Sequence, residues 1–445
     1  MTGSLFDSPL YSGLFPTGEV KRLFSDSAAI RAMLLVEGAL AKVQGQAGVI
    51  PEISAAAIHR ASLEVQIDPG ALTQATAQNG VPVPALVAAF RSEMKAPEHA
   101  QYVHWGATSQ DIMDTALMLR LRQVLVLLEQ DIRTVLDALA GLAQEHAHTV
   151  MAARTWGQHA TPTSFGAVAG SWGAPLADLL DGLPALRDSA LIVSLSGAAG
   201  TASALGAGAA QQRADLAAAL GLADPACSWH TDRAPVLAIS GWITRVAVAL
   251  GKMAEDVIAM VQSETGELVL DGAGASSTMP QKQNPVAASA MVSLHAQINA
   301  ANALLHGAGT HRFQRDGAAW MTEWAALPQL VLGSASALRH AVALTGGMRP
   351  DIARMRANLD SGAGLIFAEA LSFALAGAMP RPQAQATTKE LCQKVMAEGS
   401  DLKTVAQAAF PDLDETVFDP ERQLGTAPDD ALAFAARVGA LTQDA

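Results

Sequence analysis

The segment 272–285, GAGASSTMPQKQNP, combines residues that bind anions with residues that exchange protons. The hydroxyls of Ser276 and Ser277 stand near the cation Lys282, and Asn284 followed by a proline is typical of a helix start. A helix N-terminus presents free N–H groups, which bind carboxylates. Beside such donors a serine alkoxide becomes more accessible, so we interpret Ser276 as a proton-exchange group acting next to a carboxylate. The plainer interpretation is a Gly/Ser linker before a helix.

A second polar segment, HWGATSQD at 104–111, leads into a long apolar helical pattern. Three side chains at this helix start are candidates for binding a substrate carboxylate: Thr108, Ser109 and Gln110. Asp111 suits the first turn of a helix, and capping explains it without catalysis. His104 either contacts substrate or is a hydrogen-bonded structural residue.

A third polar segment is RTWGQHATP at 154–162. Trp156 cannot carry protons, but it can form the wall of a pocket for a planar, conjugated acid, and a packing tryptophan is an equally good interpretation. All three segments lie at or near the ends of long helical patterns. Such ends are far apart in one chain, so we expect the segments to converge only where copies of the chain pack together.

The pattern Ser276-Ser277-x-Met279-Pro280-x-Lys282-x-Asn284-Pro285 resembles the signature loop of the fumarase/aspartase superfamily, and the other two segments match that family in order and spacing. The resemblance implies an all-α fold of three helical domains, with a central long-helix bundle that assembles as a homotetramer. It also implies that Ser276 is the base. One departure is Ala275, where the family commonly has glycine.

Within that superfamily, HWGATSQD, RTWGQ and the 276–285 loop most resemble the bacterial 3-carboxy-cis,cis-muconate cycloisomerases, as do the segments 229–233 and 315–324. Relatives that release an amine or water usually carry a histidine that protonates the leaving group where this chain has Trp156. A carboxylate leaves as an anion, so acid assistance matters less. His159 remains a candidate acid. Arg315 would bind a carboxylate with two N–H groups, or form an ion pair.

The resemblance implies cyclisation of 3-carboxy-cis,cis-muconate to 4-carboxymuconolactone through an aci-carboxylate-type intermediate, with a small tricarboxylate substrate and no metal or organic cofactor. The candidate catalytic residues are Ser276, Lys282 and His159. The candidate substrate-binding residues are His104, Thr108, Ser109, Gln110, Arg154, Trp156, Gln158, Ser277, Met279, Asn284 and Arg315. Adenylosuccinate lyase or a related amine-eliminating enzyme is one alternative, and a catalytically silent structural member of the superfamily is another.

The composition bounds the partners of the 445-residue chain. Charged residues make up 16%, against ~25% in typical soluble proteins, which indicates that subunit contacts bury extra surface. A net charge of −13 argues against a nucleic-acid or acidic-membrane partner. The two cysteines and the absence of a basic, apolar leader predict a cytoplasmic protein. The uncharged stretch 191–210 is rich in Gly, Ala and Ser and is not expected to span a membrane.

Leu and Ala at helical spacing dominate the chain, and strand patterns are scarce. A first helix is predicted over 24–48, with Ser25 or Asp26 as its N-cap. Shorter helices are predicted over 52–100. Five long helices are predicted over 111–150, 163–192, 235–264, 285–308 and 325–345. The predicted domains are N-terminal (1–110), a central oligomerising bundle (111–350) and a small C-terminal helical domain (351–445).

Overall fold

The computed structural model describes residues 4–271, 274–275, 279 and 282–443. In that part of the chain, eighteen α-helices are joined by loops, six 3-10 turns and six short strands. The helices are α1 Val20–Leu23, α2 Asp26–Gln46, α3 Glu52–Glu64, α4 Thr73–Asn79, α5 Val83–Glu93, α6 Pro97–Ala100, α7 Ser109–Glu145, α8 Phe165–Asp181, α9 Leu183–Ala190, α10 Ala209–Leu220, α11 Ala234–Met260, α12 Val286–Ala308, α13 Gly317–Gly347, α14 Ile352–Asp360, α15 Ala368–Ala376, α16 Arg381–Glu398, α17 Leu402–Ala409 and α18 Ala427–Gln443. The strands are β1 Val150–Thr155, β2 Gln158–Ser164, β3 Leu268–Leu270, β4 Gly274–Ala275, β5 Gln283–Asn284 and β6 Met348–Pro350.

The all-α fold class is confirmed, and a helix covers most of each predicted helical stretch. Ser25 caps α2, because its side chain accepts a hydrogen bond from the N–H of Ala28. The five predicted long stretches correspond to α7, α8 with α9, α11, α12 and α13. Helix α13 begins at Gly317, eight residues before the predicted start, and the 163–192 stretch divides into two helices at Gly182. Helix α7 ends at Glu145, five residues before the predicted end, and strand β1 begins at Val150.

The chain forms two compact units. The first unit comprises Met1–Asp131, Asp178–Val248 and Ser293–Arg339, and its core includes apolar side chains of α2, α3, α5 and the start of α7. The second unit comprises Ile132–Ala177, Ala249–Val292 and His340–Ala445, and one of its apolar clusters is built from α15, α16 and α17. The division into domains 1–110, 111–350 and 351–445 stays a prediction.

The strands form three two-stranded antiparallel sheets, all in the second unit as far as the chain is described. Strand β1 pairs with β2, β3 with β6, and β4 with β5. The β1–β2 hairpin was not predicted, because its sequence VMAARTWGQHATPTS lacks the alternation of apolar and polar residues that marks a half-buried strand. The strands are too short to change the fold class.

One described helix, α11, is long and apolar enough to cross a membrane by length and composition, and 61% of its most apolar stretch is buried within the protein. A core helix of a folded protein has the same properties. The stretch 191–210 contains a single bridge, from Ile192 to Ala223, and the 3-10 turn Ser203–Gly208.

Candidate functional site

Asp111 at the start of α7 gathers five hydrogen bonds in the first unit. Its carboxylate accepts from the backbone N–H of Thr108 at 3.0 Å, as the third residue of a helix does when it caps the start. The other donors come from two separate segments. They are the Ser194 hydroxyl (3.0 Å), the Ser196 and Gly197 N–H groups (2.8 and 2.9 Å) and Nε2 of His230 (2.8 Å). Asp111 therefore ties the loop after α9 and the segment before α11 to the start of α7.

These donors keep Asp111 ionised although it is fully buried. Burial alone would raise the pKa of its carboxyl group, but the hydrogen bond and charge of His230 and the backbone donors outweigh burial, and the pKa is lowered. A carboxylate with a lowered pKa stabilises the fold above its unfolded-state pKa, and this contribution is lost as the pH falls through the folded-state pKa. Capping and loop anchoring thus account for Asp111.

Arg233 lies at the centre of a second buried cluster in the same unit. Its guanidinium donates to both oxygens of Asp114 (2.7 and 3.1 Å) and to both oxygens of Glu323 (2.7 and 2.9 Å). One face lies over the ring of Trp229, 4.8 Å from its centroid. Burial opposes the charge of Arg233, but the two carboxylates outweigh it and raise the arginine pKa. Burial also raises the pKa of Glu323, against the effect of Arg233.

Gln110 connects this cluster to Arg315. Its side-chain amide donates to Asp114 at 3.1 Å and to the backbone carbonyl of His230 at 2.8 Å, and its Oε1 accepts from Nε of Arg315 at 2.7 Å. Gln110 was predicted to contact substrate, but its side chain is fully buried and its polar atoms are bonded within the protein. The contacts make it a residue that positions Arg315.

A cavity of about 270 Å³ lies beside Arg315. Its lining includes Thr108 and Ser109 at the start of α7, and Trp320 and Trp324 from α13. Arg315 has no carboxylate within ion-pair distance in the described part of the chain, so its charge is available to a ligand. A cation and the N-terminus of a long helix at one cavity form an arrangement suited to carboxylate binding. The structure thus brings together three of the predicted binding residues: Thr108, Ser109 and Arg315.

His104 belongs to the same unit but is held by an acid of α2. Its Nδ1 lies 2.6 Å from Oε1 of Glu37, which is buried. Burial disfavours the imidazolium, but the hydrogen bond and charge of Glu37 outweigh it and raise the pKa of His104. The backbone of His104 has a positive φ of 64°. Of the two interpretations given above, these contacts favour the structural one.

In the second unit, the segment RTWGQ forms the tip of the β1–β2 hairpin. Trp156 and Gly157 are the two central residues of the turn, with φ values of 55° and 75°, as a two-residue hairpin of the type I′ class requires. Glycine adopts such angles readily, whereas tryptophan does so at a cost. The Trp156 side chain is fully exposed, at 101%. Gln158 and His159 begin β2, and both are exposed.

Arg154 at the end of β1 forms a bidentate ion pair with Glu267. The N–O distances are 2.6 and 2.8 Å, and the Glu267 side chain is fully buried. Nδ2 of Asn358 adds a further hydrogen bond to Glu267 at 2.9 Å. Arg154, predicted to bind substrate, is thus paired with a buried carboxylate of its own chain.

The predicted catalytic segment follows β3 in the second unit. Gly274 pairs with Asn284 and Ala275 with Gln283, so β4 and β5 bring the two ends of the segment together. An added Cβ at Gly274 would lie 2.7 Å from Cγ2 of Val286, so a larger residue there would require that side chain to shift. Met279 and Lys282 are exposed, and Ser276 and Ser277 lie outside the described residues. Asn284 and Pro285 immediately precede α12, one residue from the predicted helix start.

Sequence reasoning gave no role to several residues of the buried clusters, namely Ser194, Ser196, His230, Arg233 and Glu323. The two serines were visible as polar residues in an apolar stretch, but nothing in the sequence indicated their partner. In the described part of the chain, no group of three or more His, Cys, Asp or Glu side chains is placed to hold a metal ion.

Comparisons with known proteins relate the sequence and the fold of this chain to a family. The family model described as Lyase matches residues 16–300. The chain is similar to 3-carboxy-cis,cis-muconate cycloisomerase of Pseudomonas aeruginosa, with 37% identity and 94% of each chain covered. It is also similar to nitrosuccinate lyase of Streptomyces davaonensis, with 36% identity, 96% of this chain and 94% of the other. The crystal structure of 3-carboxy-cis,cis-muconate lactonizing enzyme from Pseudomonas putida superposes with a TM-score of 0.90 at 34% identity, covering 98% of this chain and 100% of that one.

The chain therefore belongs to this lyase family, within the fumarase/aspartase superfamily, and it is an enzyme of that class. The resemblance drawn from the three polar segments is confirmed. Two of these three relatives carry the names of enzymes that cyclise 3-carboxy-cis,cis-muconate.

Proposed function

We propose that this enzyme converts 3-carboxy-cis,cis-muconate to 4-carboxymuconolactone, in the protocatechuate branch of the β-ketoadipate pathway. One substrate carboxylate forms a C–O bond to the diene, the electron pair moves onto the carbon next to another carboxylate, and a proton is added there. The reaction is an isomerisation that needs no oxidant, reductant or second substrate. The similarity to named cycloisomerases over 94% of the chain supports the choice of substrate.

The observation that carries the proposal is the cavity at Arg315, where a cation, a helix start and two tryptophans meet. A conjugated, planar tricarboxylate offers both the anionic groups and the flat apolar body that such a cavity suits. Arg315, Thr108 and Ser109 would bind one carboxylate and help to stabilise the charge of the aci-carboxylate.

The remaining roles follow from the sequence. Ser276 would exchange the proton, with Lys282 as the neighbouring cation. Trp156 would form a wall of the pocket, and no acid is needed at its position because the leaving group of the reverse reaction is a carboxylate. The other proposed substrate-binding residues are Gln158, Ser277, Met279 and Asn284.

We also propose a cytoplasmic homotetramer in which each active site combines residues of several subunits. The exposed hairpin tip supports this proposal, because a fully exposed tryptophan in a strained turn is explained when another chain covers it. The low content of charged residues supports it independently.

A second candidate is the elimination of a substituent from a substituted succinate. The identity of 36% to nitrosuccinate lyase is close to the 37% identity to the cycloisomerase, and it supports an elimination as the second candidate reaction. His159 would then be the candidate acid in the RTWGQH segment.

Ultraviolet absorbance separates the two candidates. Cyclisation breaks the conjugated diene, so the absorbance of 3-carboxy-cis,cis-muconate must fall when the purified enzyme is added. The matched assay supplies nitrosuccinate and follows release of fumarate. A fast, enzyme-dependent fall with the muconate alone supports the cycloisomerase, whereas no fall with a folded oligomer, together with turnover of nitrosuccinate, would overturn it.

A further inference from the structure

The first unit contains a second cavity, of about 330 Å³. It shares Trp320 and Trp324 with the lining of the Arg315 cavity, and its other described lining residues are different. It lies among residues of α2, α7 and α13, and its walls are largely apolar, with Met33, Met113, Leu117 and Leu327 among them. Cavities of this size and composition hold small organic ligands when a few polar groups fix the orientation.

Arg120 of α7 is the cation among the described residues that line this cavity, and no acid pairs with it there. Its Nη1 lies 3.4 Å from the backbone carbonyl of Leu23, longer than a normal N–H···O hydrogen bond, and its guanidinium carbon lies 5.5 Å from the ring centroid of Phe24. Its Nε is buried and has no hydrogen-bond partner, and no carboxylate pairs with it in the described part of the chain. By contrast, Arg122, two residues further along α7, donates hydrogen bonds to the backbone carbonyls of Leu220 and Gly221 at 2.7 and 2.8 Å.

Leaving a cation in this state is unfavourable. Burial lowers the pKa of Arg120 to about 10, and no nearby acid offsets that effect. A ligand carboxylate at the guanidinium would supply the missing charge.

The acids of the cavity wall limit the charge of the ligand. Asp114 and Glu323 line the cavity, but both are engaged by Arg233, and Asp26 is exposed at the start of α2. Among the described residues that line the cavity, Arg120 is therefore the single cation, and Asp26, Asp114 and Glu323 are the acids. A second or third carboxylate on the ligand would meet like charge, so the cavity suits a monocarboxylate.

Trp320 and Trp324 line both cavities. Their rings pack edge to face, with centroids 4.9 Å apart. Aromatic walls suit an aromatic ligand body, and a ligand on this side would lie against the tryptophan pair that borders the Arg315 cavity.

We propose that the Arg120 cavity is a second ligand site, which binds a small aromatic monocarboxylate with its carboxylate on Arg120 and its ring against the tryptophan pair. The site is distinct from the one proposed for the tricarboxylate substrate, and it does not depend on which reaction the enzyme catalyses.

The test is calorimetric titration of the full-length enzyme with benzoate, with tryptophan fluorescence recorded in parallel. We expect saturable binding to the unmodified enzyme and to Arg122→Gln, the matched control. Arg120→Gln should weaken binding about tenfold or more, as expected for a charge-assisted hydrogen bond. Arg315→Gln should leave binding unchanged, which excludes the neighbouring cavity.

A second variant keeps the charge of Arg120 and reduces the volume of the cavity. Ala29 lines the cavity from α2, and Ala29→Leu should fill part of it and abolish benzoate binding while circular dichroism stays unchanged. The proposal is overturned if the unmodified enzyme shows no saturable binding, if Arg120→Gln or Ala29→Leu binds benzoate as well as the unmodified enzyme, or if Arg315→Gln loses the binding.

Discussion

The start of α7 and the tip of the β1–β2 hairpin both carry predicted substrate-binding residues, but they hold them in opposite ways. At α7, Gln110, Asp111 and Asp114 are buried, and every one of them has partners within the first unit. At the hairpin tip, Trp156 projects from a turn with positive φ and is fully exposed, and His159 is exposed as well.

The difference indicates how the two regions serve a site. The α7 region is fixed before any ligand arrives, because its charged groups are paired and Gln110 already holds Arg315. Such preorganised groups bind a developing charge without further rearrangement. The hairpin instead offers exposed side chains, and in the oligomer proposed above another chain would cover them.

The largest expected effect concerns the chemistry itself. Ser276→Ala should lower kcat by about 10²–10⁴-fold, the usual contribution of a proton-transfer group, with the oligomer intact. Turnover is measured by loss of muconate absorbance, and size-exclusion chromatography checks assembly. Ser277→Ala is the matched control and should have a smaller effect. Near-normal turnover of Ser276→Ala would exclude it as the proton-exchange group.

The next effect compares two arginines that pair with buried carboxylates, the buried Arg233 and the more exposed Arg154. Arg233→Met leaves Asp114 and Glu323 buried without their cation and should cost about 3–5 kcal/mol of stability. Arg154→Met should cost less, because it removes the cation from one buried carboxylate instead of two, and Glu267 keeps its hydrogen bond from Asn358. Urea unfolding of both variants at one protein concentration measures the difference. An equal or larger loss for Arg154→Met would contradict the idea that the first unit depends more on its buried network.

The long helices were predictable from the spacing of Leu and Ala, because apolar periodicity is a local property. The buried network was not predictable, because Arg233 meets Glu323 and Asp114 across 90 and 119 residues, and no spacing rule joins them. Gln110 shows the same limit: its residue type and helix position indicate an anion donor, but only the fold shows that it holds Arg315. The hairpin was not predicted because its strands lack apolar–polar alternation, and because tryptophan is not a usual residue at the first central position of a type I′ turn.

A smaller effect is expected for a variant of Trp156, in which stability reports backbone strain at the hairpin tip and kcat/KM reports function. Trp156→Gly should leave stability unchanged or raise it by up to about 1 kcal/mol, because glycine adopts positive φ without the cost that other residues meet. The same variant should lower kcat/KM, because the pocket loses a wall. Lys95→Gly, at another positive φ, controls for the backbone effect and should not change turnover. Full activity of Trp156→Gly would remove the hairpin tip from the site.

The smallest effect is the titration of His104. Its raised pKa means that its contribution to stability is fully present below the unfolded-state value of about 6.5 and is lost as the pH rises through the higher folded-state pKa. In Glu37→Gln the burial remains but the acid is gone, so the pKa of His104 should fall. NMR titration of the imidazole checks this, and an unchanged pKa would contradict the pairing of His104 with Glu37.

The most direct test of the account mixes two inactive variants. Arg315→Gln removes the cation from the cavity in the first unit, and Trp156→Ala with Ser276→Ala disables the other two polar segments. If the active site combines segments of different subunits, co-refolding the Arg315→Gln chain with the doubly substituted chain should restore part of the muconate turnover, because some sites then contain only unmodified segments. Activity no higher than that of the separate variants, in mixed oligomers verified by mass spectrometry, would contradict a site shared between chains.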